Sequence, residues 1–325
     1  MATQSRLLFL DQFRGLAIVL MVLASALGGY EQVPSYLQHA PADGFTLPDI
    51  VMPMFLFAMG YAAELSFRRR VEGNGSPKTV SHLLFRNSLL VVFGFLGTLL
   101  VENHTWDILQ ALGTAGLLAI PLLFLPPAVR LTVALLSLVA YQVSISFFFS
   151  KTGIEYYLQS GVVGPVGAFS WIFILISGSC LSAWLKEREY AARIIWLAAA
   201  GAIMVVAGAV LNLFIPFSKH LGSISYVLLS TGSCAYGVLL FMVISEQFHV
   251  SLPPLEAMGR NALFLFMFKS VLVLAEKSIL PPNVALPACA MGFGAVMLLT
   301  YLTGAVLDRV LNQSEMEIPV RSGCI

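Results

Sequence analysis

Charge is what this 325-residue chain lacks: only 11% of its residues are Asp, Glu, Lys or Arg, and the net charge is +1. A soluble domain carries about 25% charged residues. So few charges cannot clothe a globular surface in water, which excludes a soluble globular enzyme. The absence of a basic excess excludes a nucleic-acid binder. Cysteine is scarce too. Cys180, Cys234 and Cys289 lie inside apolar runs and Cys324 is next to last, with no CxxC or Cys/His ligand spacing among them. They read as small buried hydrophobes, and no metal site is expected. HExxH, GxSxG and a phosphate-binding loop are all missing. No cleavable signal is expected either, because the first apolar run follows Arg6, Asp11 and Arg14 without a small-x-small site after it.

What remains is apolar surface. Hydrophobic residues make up 58% of the chain and the mean hydropathy is +0.86. That excludes a disordered chain and points to an all-α, polytopic membrane protein. A spanning helix needs about 20 apolar residues. Ten such stretches lie near 13–30, 47–67, 81–101, 107–125, 129–149, 167–185, 194–214, 224–245, 260–277 and 286–307. Pro121 and Pro216 are expected to kink or end their helices. No internal repeat and no soluble domain stand out, so residues 1–325 read as a single transmembrane domain. With the N-terminus inside, fourteen lysines and arginines fall on the cytoplasmic side and four (Lys151, Lys219, Lys269, Lys277) on the other. The positive-inside rule then places both termini in the cytoplasm.

Ionisable residues in or beside spans are costly, so each is a candidate site. Asp11 and Arg14, one turn apart in LDQFRG, read as an ion pair anchoring the first helix, and also as a guanidinium placed to meet phosphate. Arg86 lies a few residues inside the third span, and with Arg6 and Arg14 it suggests a basic cup on the inner face. His82 and His249 fall in cytoplasmic connections, and His104 and His220 in short external loops, all read as surface residues. His39 is different. It sits in YLQHAPADGFTLPDIVMP, ten residues before Asp49 at the mouth of the next helix. A carboxylate so placed can orient an imidazole for general-base or nucleophilic work. By that reasoning, asparagine at position 49 is milder than loss of His39.

Four stretches then become informative together: LDQFRGLAIVLMV, QHAPADGFTLPDIVMPMFLFAMG, WDILQALG, and FIPFSKHLGSISYVLLS with EAMGRNALFLF. These resemble the transmembrane N-acetyltransferases related to heparan-alpha-glucosaminide N-acetyltransferase. The resemblance implies that acetyl-CoA donates an acetyl group to the amine of a glucosamine-type aminosugar or glycan at the periplasmic or luminal face. It implies an acyltransferase of a bacterial inner membrane, in contact with lipid, with no nucleic acid or metal involved and a homodimer left open. Carried over by position, His39 is the active-site histidine, Asp49 the acid beside it, and Ser25 stands where the family often has an assisting asparagine. Arg6, Asp11, Arg14 and Arg86, with Ser223, Tyr226 and Asn261, are the implied contacts to coenzyme A and its cavity. His39 either attacks the thioester or deprotonates the acceptor. Two rival classes remain at this stage: a membrane O-acyltransferase of cell-surface glycans, and a secondary transporter.

Overall fold

The structure, a computed structural model, describes residues 7–40, 43–101, 106–149 and 162–317. Arg6, Pro41, His104 and Cys324 therefore lie outside the described residues. The described chain is all-α: eleven helices and no strand. They are α1 (Leu8–Leu27), α2 (Val51–Asn74), α3 (Ser76–Val101), α4 (Ile108–Leu122), α5 (Pro127–Ser144), α6 (Ala168–Leu185), α7 (Tyr190–Leu211), α8 (Ile224–Met242), α9 (Pro253–Arg260), α10 (Ala262–Ile279) and α11 (Leu286–Glu317).

Among the described residues, eight stretches are long and apolar enough to cross a membrane. The expected spans near 107–125 and 260–277 are the two that fall short, for different reasons. Helix α4 has 15 residues, because Pro121 removes a backbone donor in its last turn and the helix ends one residue later. Helix α10 is 18 residues long but carries Lys269, Glu276 and Lys277. The first helix also begins five residues before the expected 13, since Asp11 is tucked into the bundle rather than marking its edge.

The chain divides into two compact units. One comprises residues 1–37 and 241–325. Here α1 packs on α9, α10 and α11, burying Phe9, Phe13, Ile18 and Val22. Polar ties hold it as well. The Gln12 side chain donates to Glu256 at 3.1 Å, and Glu256 also accepts from Ser251 and the Leu252 amide at the start of α9. Arg260 grips Asp308 with two hydrogen bonds of 2.6 and 2.8 Å. The guanidinium is half-buried, and the planar carboxylate matches its fork of donors.

The other unit, residues 38–240, is built on α6. Fifteen of that helix's residues are buried, including Trp171, Ile174 and Cys180. Helices α2, α4 and α5 surround it. The contact with α2 is backbone to backbone. A side chain at Gly60 would meet the Leu175 carbonyl oxygen at 1.8 Å, and one at Gly178 would meet that of Phe57 at 2.4 Å. Only glycine permits that approach. Gly75 alone separates α2 from α3, so α3 returns beside α2 and packs on α4. Helix α7 is the most apolar stretch, with a mean hydropathy of 2.5, yet it is largely exposed, as a lipid-facing helix must be.

Candidate active site

The site begins with a local capping interaction. Thr46-Leu47-Pro48-Asp49 has the threonine-then-acid spacing of a helix start, with proline in the first turn. It folds as a single tight turn, Leu47–Ile50, running directly into α2. The Thr46 amide and hydroxyl both donate to Asp49 Oδ2, at 3.0 and 2.7 Å. The Ala40 amide adds a third, longer contact at 3.4 Å. Asp49 is 1% exposed and sits at the positive end of α2, where a carboxylate is favoured. Its other oxygen, Oδ1, lies 2.8 Å from His39 Nδ1. The spacing of ten residues thus closes a loop that brings acid and imidazole together.

A second segment completes the site. Between α7 and α8, the stretch Ile215-Pro216-Phe217-Ser218-Lys219-His220-Leu221-Gly222-Ser223 turns sharply, with Gly222 at a φ of 55°. Serines hold the turn: Ser223 Oγ donates to the Pro216 carbonyl at 3.0 Å and accepts the Ser218 amide at 3.0 Å, and Ser225 lies 3.1 Å from Ser223. Neighbouring helices fix it from outside. Tyr141 donates to the Leu221 carbonyl, Ser170 to that of Gly222, and Gln142 accepts the Ile224 amide. The two segments are stitched by the Gly44 amide on the Phe217 carbonyl at 2.7 Å and by Phe45 against the rings of Phe217 and Tyr226. Tyr226, fully buried, donates to the Asp49 carbonyl at 2.5 Å. This delivers Lys219 into the site, with Nζ 3.2 Å from His39 Nδ1 and 3.7 Å from Asp49 Oδ1.

The hydrogen bonds select the state of the ring. Asp49 Oδ2 receives two short donors and its partner Oδ1 can only accept, so His39 Nδ1 carries the proton it shows to Oδ1. Nε2 then keeps its lone pair. The His39 side chain is 43% exposed whereas Asp49 is sealed, so the basic nitrogen faces outward from a fixed support. Such an imidazole can accept a proton or attack a carbonyl. Beside it His220, expected at the surface, is instead half buried, and burial followed by the Lys219 charge pushes its imidazole toward the neutral form.

Other anticipated residues have different settings. Asp11 and Arg14 form an ion pair of 3.5 Å. Ser25 accepts a hydrogen bond from the Lys269 ammonium at 2.8 Å. Asn261 donates to the Ala257 carbonyl at 2.9 Å, closing the end of α9. Arg86, half buried on α3, reaches the side chain of Asn87 at 3.3 Å. Ser223 and Tyr226 hold the two site segments in place. Lys219 is the residue that sequence reasoning missed, although it stands inside the quoted FIPFSKHLGSISYVLLS stretch and is one of four basic residues on the sparse side. Among the described residues no cluster of His, Cys, Asp and Glu is arranged to hold a metal ion.

Comparison with known proteins takes in the first of these segments through a family model. The sequence model of the family described as heparan-alpha-glucosaminide N-acetyltransferase, catalytic, matches residues 6–162. The mouse heparan-alpha-glucosaminide N-acetyltransferase is 34% identical over 96 residues, which cover 29% of this chain and 14% of the mouse protein. The human one is 33% identical over 96 residues, with the same coverage of 29% and 14%. The aligned region is thus a small part of either relative. Lys219, Ser223, Tyr226 and Asn261 lie beyond the family match, whereas His39, Asp49 and Arg86 lie within it. Over residues 6–162, just under half of its length, the chain is similar to the catalytic region of the heparan-alpha-glucosaminide N-acetyltransferase family.

Proposed function

We propose that the chain is a transmembrane N-acetyltransferase of a bacterial inner membrane, passing the acetyl group of cytosolic acetyl-CoA to the amine of an aminosugar on the opposite side. The observation that carries this reading is the His39 imidazole, held by buried Asp49 with Nε2 free, inside the family's catalytic match. In the direct route, Nε2 takes a proton from the acceptor ammonium. The freed amine attacks the thioester carbonyl, the C–N bond forms, the C–S bond breaks, and the coenzyme A thiolate leaves and is protonated. His39 returns its proton to water. A ternary complex needs donor and acceptor to converge on one nitrogen from opposite sides, and an outward-facing Nε2 suits that better than a buried one.

Arg86 supports the donor side of the reading. Ten residues into α3, it comes level with the Glu64 turn of α2. That is fifteen residues from Asp49, or about 22 Å at 1.5 Å per residue. A donor with charged phosphates at one end and a thioester at the end of a long thin arm fits that separation. We assign Arg86 to the phosphates; the positive-inside pattern supports a cytoplasmic position for its end of the unit, with His39 on the far side.

Release of coenzyme A by purified protein, compared across amine and hydroxyl acceptors, tests the reading. Transfer to an aminosugar supports it. Preferential transfer to hydroxyls makes the protein an O-acyltransferase, and solute uptake without release makes it a transporter. His39→Ala lowers transfer by about 10²–10⁴-fold or more while donor binding persists; a wild-type rate in that variant places the chemistry elsewhere. A cysteine at Tyr36, 64% exposed in the connection before His39, reacts with an impermeant reagent from outside the cell. Labelling only after membrane rupture reverses the orientation.

A further inference from the structure

The reaction just described leaves the opposite end of the second unit without a task. Helix α6 begins beside the site, where Ser170 and Trp171 meet Gly222 and Tyr226, and ends beyond Cys180, which lies by Arg130 and Glu64. Its last turn is therefore on the side away from His39. Four residues, Lys186-Glu187-Arg188-Glu189, join it to α7, and all four are exposed.

Arg188 is the built feature of this hairpin. Its Nε donates to the Trp184 carbonyl at 3.0 Å. Its guanidinium lies 4.5 Å from the ring centroid of Trp196, in the second turn of α7. Trp184 approaches the same ring from α6, with centroids 6.5 Å apart. An arginine that needed only water would extend away from the helices. This one is laid back along α7 and held by a hydrogen bond and a cation–π contact. One of its five N–H donors is spent, and the four on the two Nη nitrogens engage no acceptor among the described residues.

Trp196 also marks the near end of an apolar stripe. Ile195, Ile203, Val206 and Val210 are 66, 69, 61 and 51% exposed, and helical spacing puts them on one side of α7. On the other side Gly201 and Gly208 press on α8. A stripe of this kind is covered by hydrocarbon, and an exposed tryptophan at its end sits at the level of the lipid headgroups. Over residues 186–193, Lys186, Arg188 and Arg193 outnumber Glu187 and Glu189. The outward fork of donors thus stands where phosphates lie, in a segment of net positive charge.

We propose that the α6–α7 hairpin binds the phosphate headgroup of an anionic phospholipid in the leaflet away from His39. The Nη edge of Arg188 takes two phosphodiester oxygens, the geometry that a guanidinium favours. Trp196 supports the guanidinium from behind, and an acyl chain runs along Ile203, Val206 and Val210. The site stands apart from His39 and from Arg86, and does not rest on the proposed reaction.

The test uses the whole protein in mild detergent and no acyl-CoA. Phosphatidylglycerol is titrated in and the lipid retained is counted by native mass spectrometry, with a phosphate-free diacylglycerol glycolipid as the second probe. Wild-type protein holds phosphatidylglycerol about tenfold more tightly than the glycolipid, or better. Arg188→Gln abolishes that preference, whereas Lys186→Gln, which removes the same charge two residues away, keeps most of it. Equal retention of the two lipids by the wild type overturns the proposal, as does an unchanged preference in folded Arg188→Gln. An equal loss in Lys186→Gln also overturns it, because the effect is then diffuse surface charge. Should Arg188→Gln not fold, a photoreactive phosphatidylglycerol headgroup decides on the wild type. Label on the peptide holding residues 186–196 supports the site, and label only elsewhere overturns it. Absence of acetyl transfer removes the functional reading and leaves these lipid readouts standing.

Discussion

Helix α2 and the turn that enters it carry two buried acids, Asp49 and Glu64, each facing two basic groups. Asp49 meets His39 and Lys219; Glu64 accepts from Arg68 and, at 2.7 Å, from Arg130. The clusters differ in access. Arg130 is fully buried at the start of α5 and sits against Cys180 of α6, with its Nε and one Nη lacking a hydrogen-bond acceptor. Arg68, the half-exposed member, lies on α2 itself, so both basic members of this cluster are guanidiniums, which donate hydrogen bonds and accept none. Around Asp49 the exposed member is an imidazole with a free nitrogen. The first cluster ties helices together and the second presents a reactive atom. Burial of charge therefore does not mark the chemistry here; the exposed, titratable member of the cluster does.

Three substitutions probe that contrast. The largest effect belongs to Asp49→Asn. The Thr46 amide and hydroxyl demand an acceptor at Oδ2, so the new amide oxygen must sit there and its NH₂ must face His39. That forces the proton onto Nε2 and removes the base. We expect a loss of about 10⁴-fold in turnover per folded molecule, the scale of a wrong-tautomer substitution in a serine protease triad, together with a lower unfolding transition because the buried Lys219 loses its carboxylate. A loss under tenfold means that Asp49 only packs. Next comes Arg130→Ala, which leaves Glu64 buried with one partner fewer and costs about 3–5 kcal/mol of stability. Unfolding in mixed micelles reads this cost, while activity per folded molecule stays at the wild-type level. The apolar double variant Glu64→Leu/Arg130→Met recovers most of that loss if the cluster is purely a clamp. Smallest is Thr46→Val. It removes one hydroxyl donor to a charged acceptor, about 1.5–3 kcal/mol, and keeps the backbone donor. Turnover falls roughly tenfold or somewhat more, and a further rise in the Asp49→Asn loss when both are combined would show that the cap does not act through the carboxylate.

Much of this was legible in the residues. Low charge and long apolar runs announced the helical membrane architecture, and the ten-residue interval from His39 to Asp49 pointed to the pair. The expectation that asparagine at position 49 is milder than loss of His39 rests on residue type alone; the two Thr46 donors on one carboxylate oxygen, which argue for a larger effect, are not visible in the sequence. Lys219 escaped for a different reason. It lies 180 residues from His39, and its loop reaches the site only through the Gly44–Phe217 bond and the aromatic contacts of Phe45. Local pattern carries no record of such a meeting. The two expected spans that fall short of a long, uncharged apolar helix do so through their own residues, a proline in one and three charges in the other.

The glycines between α2 and α6 bear on how anything crosses this unit. Proteins that ferry whole solutes work by letting helices part or slide, so that a cleft opens first to one side and then to the other. Two helices whose backbones touch at Gly60 and Gly178 have no such freedom. A shift of one residue, about 1.5 Å along the axis, would drive neighbouring side chains into the facing carbonyls. The central pair is a spine that neither rocks nor ratchets. Any rearrangement of this unit must therefore carry the two helices together, as one fixed support behind the mouth of α2.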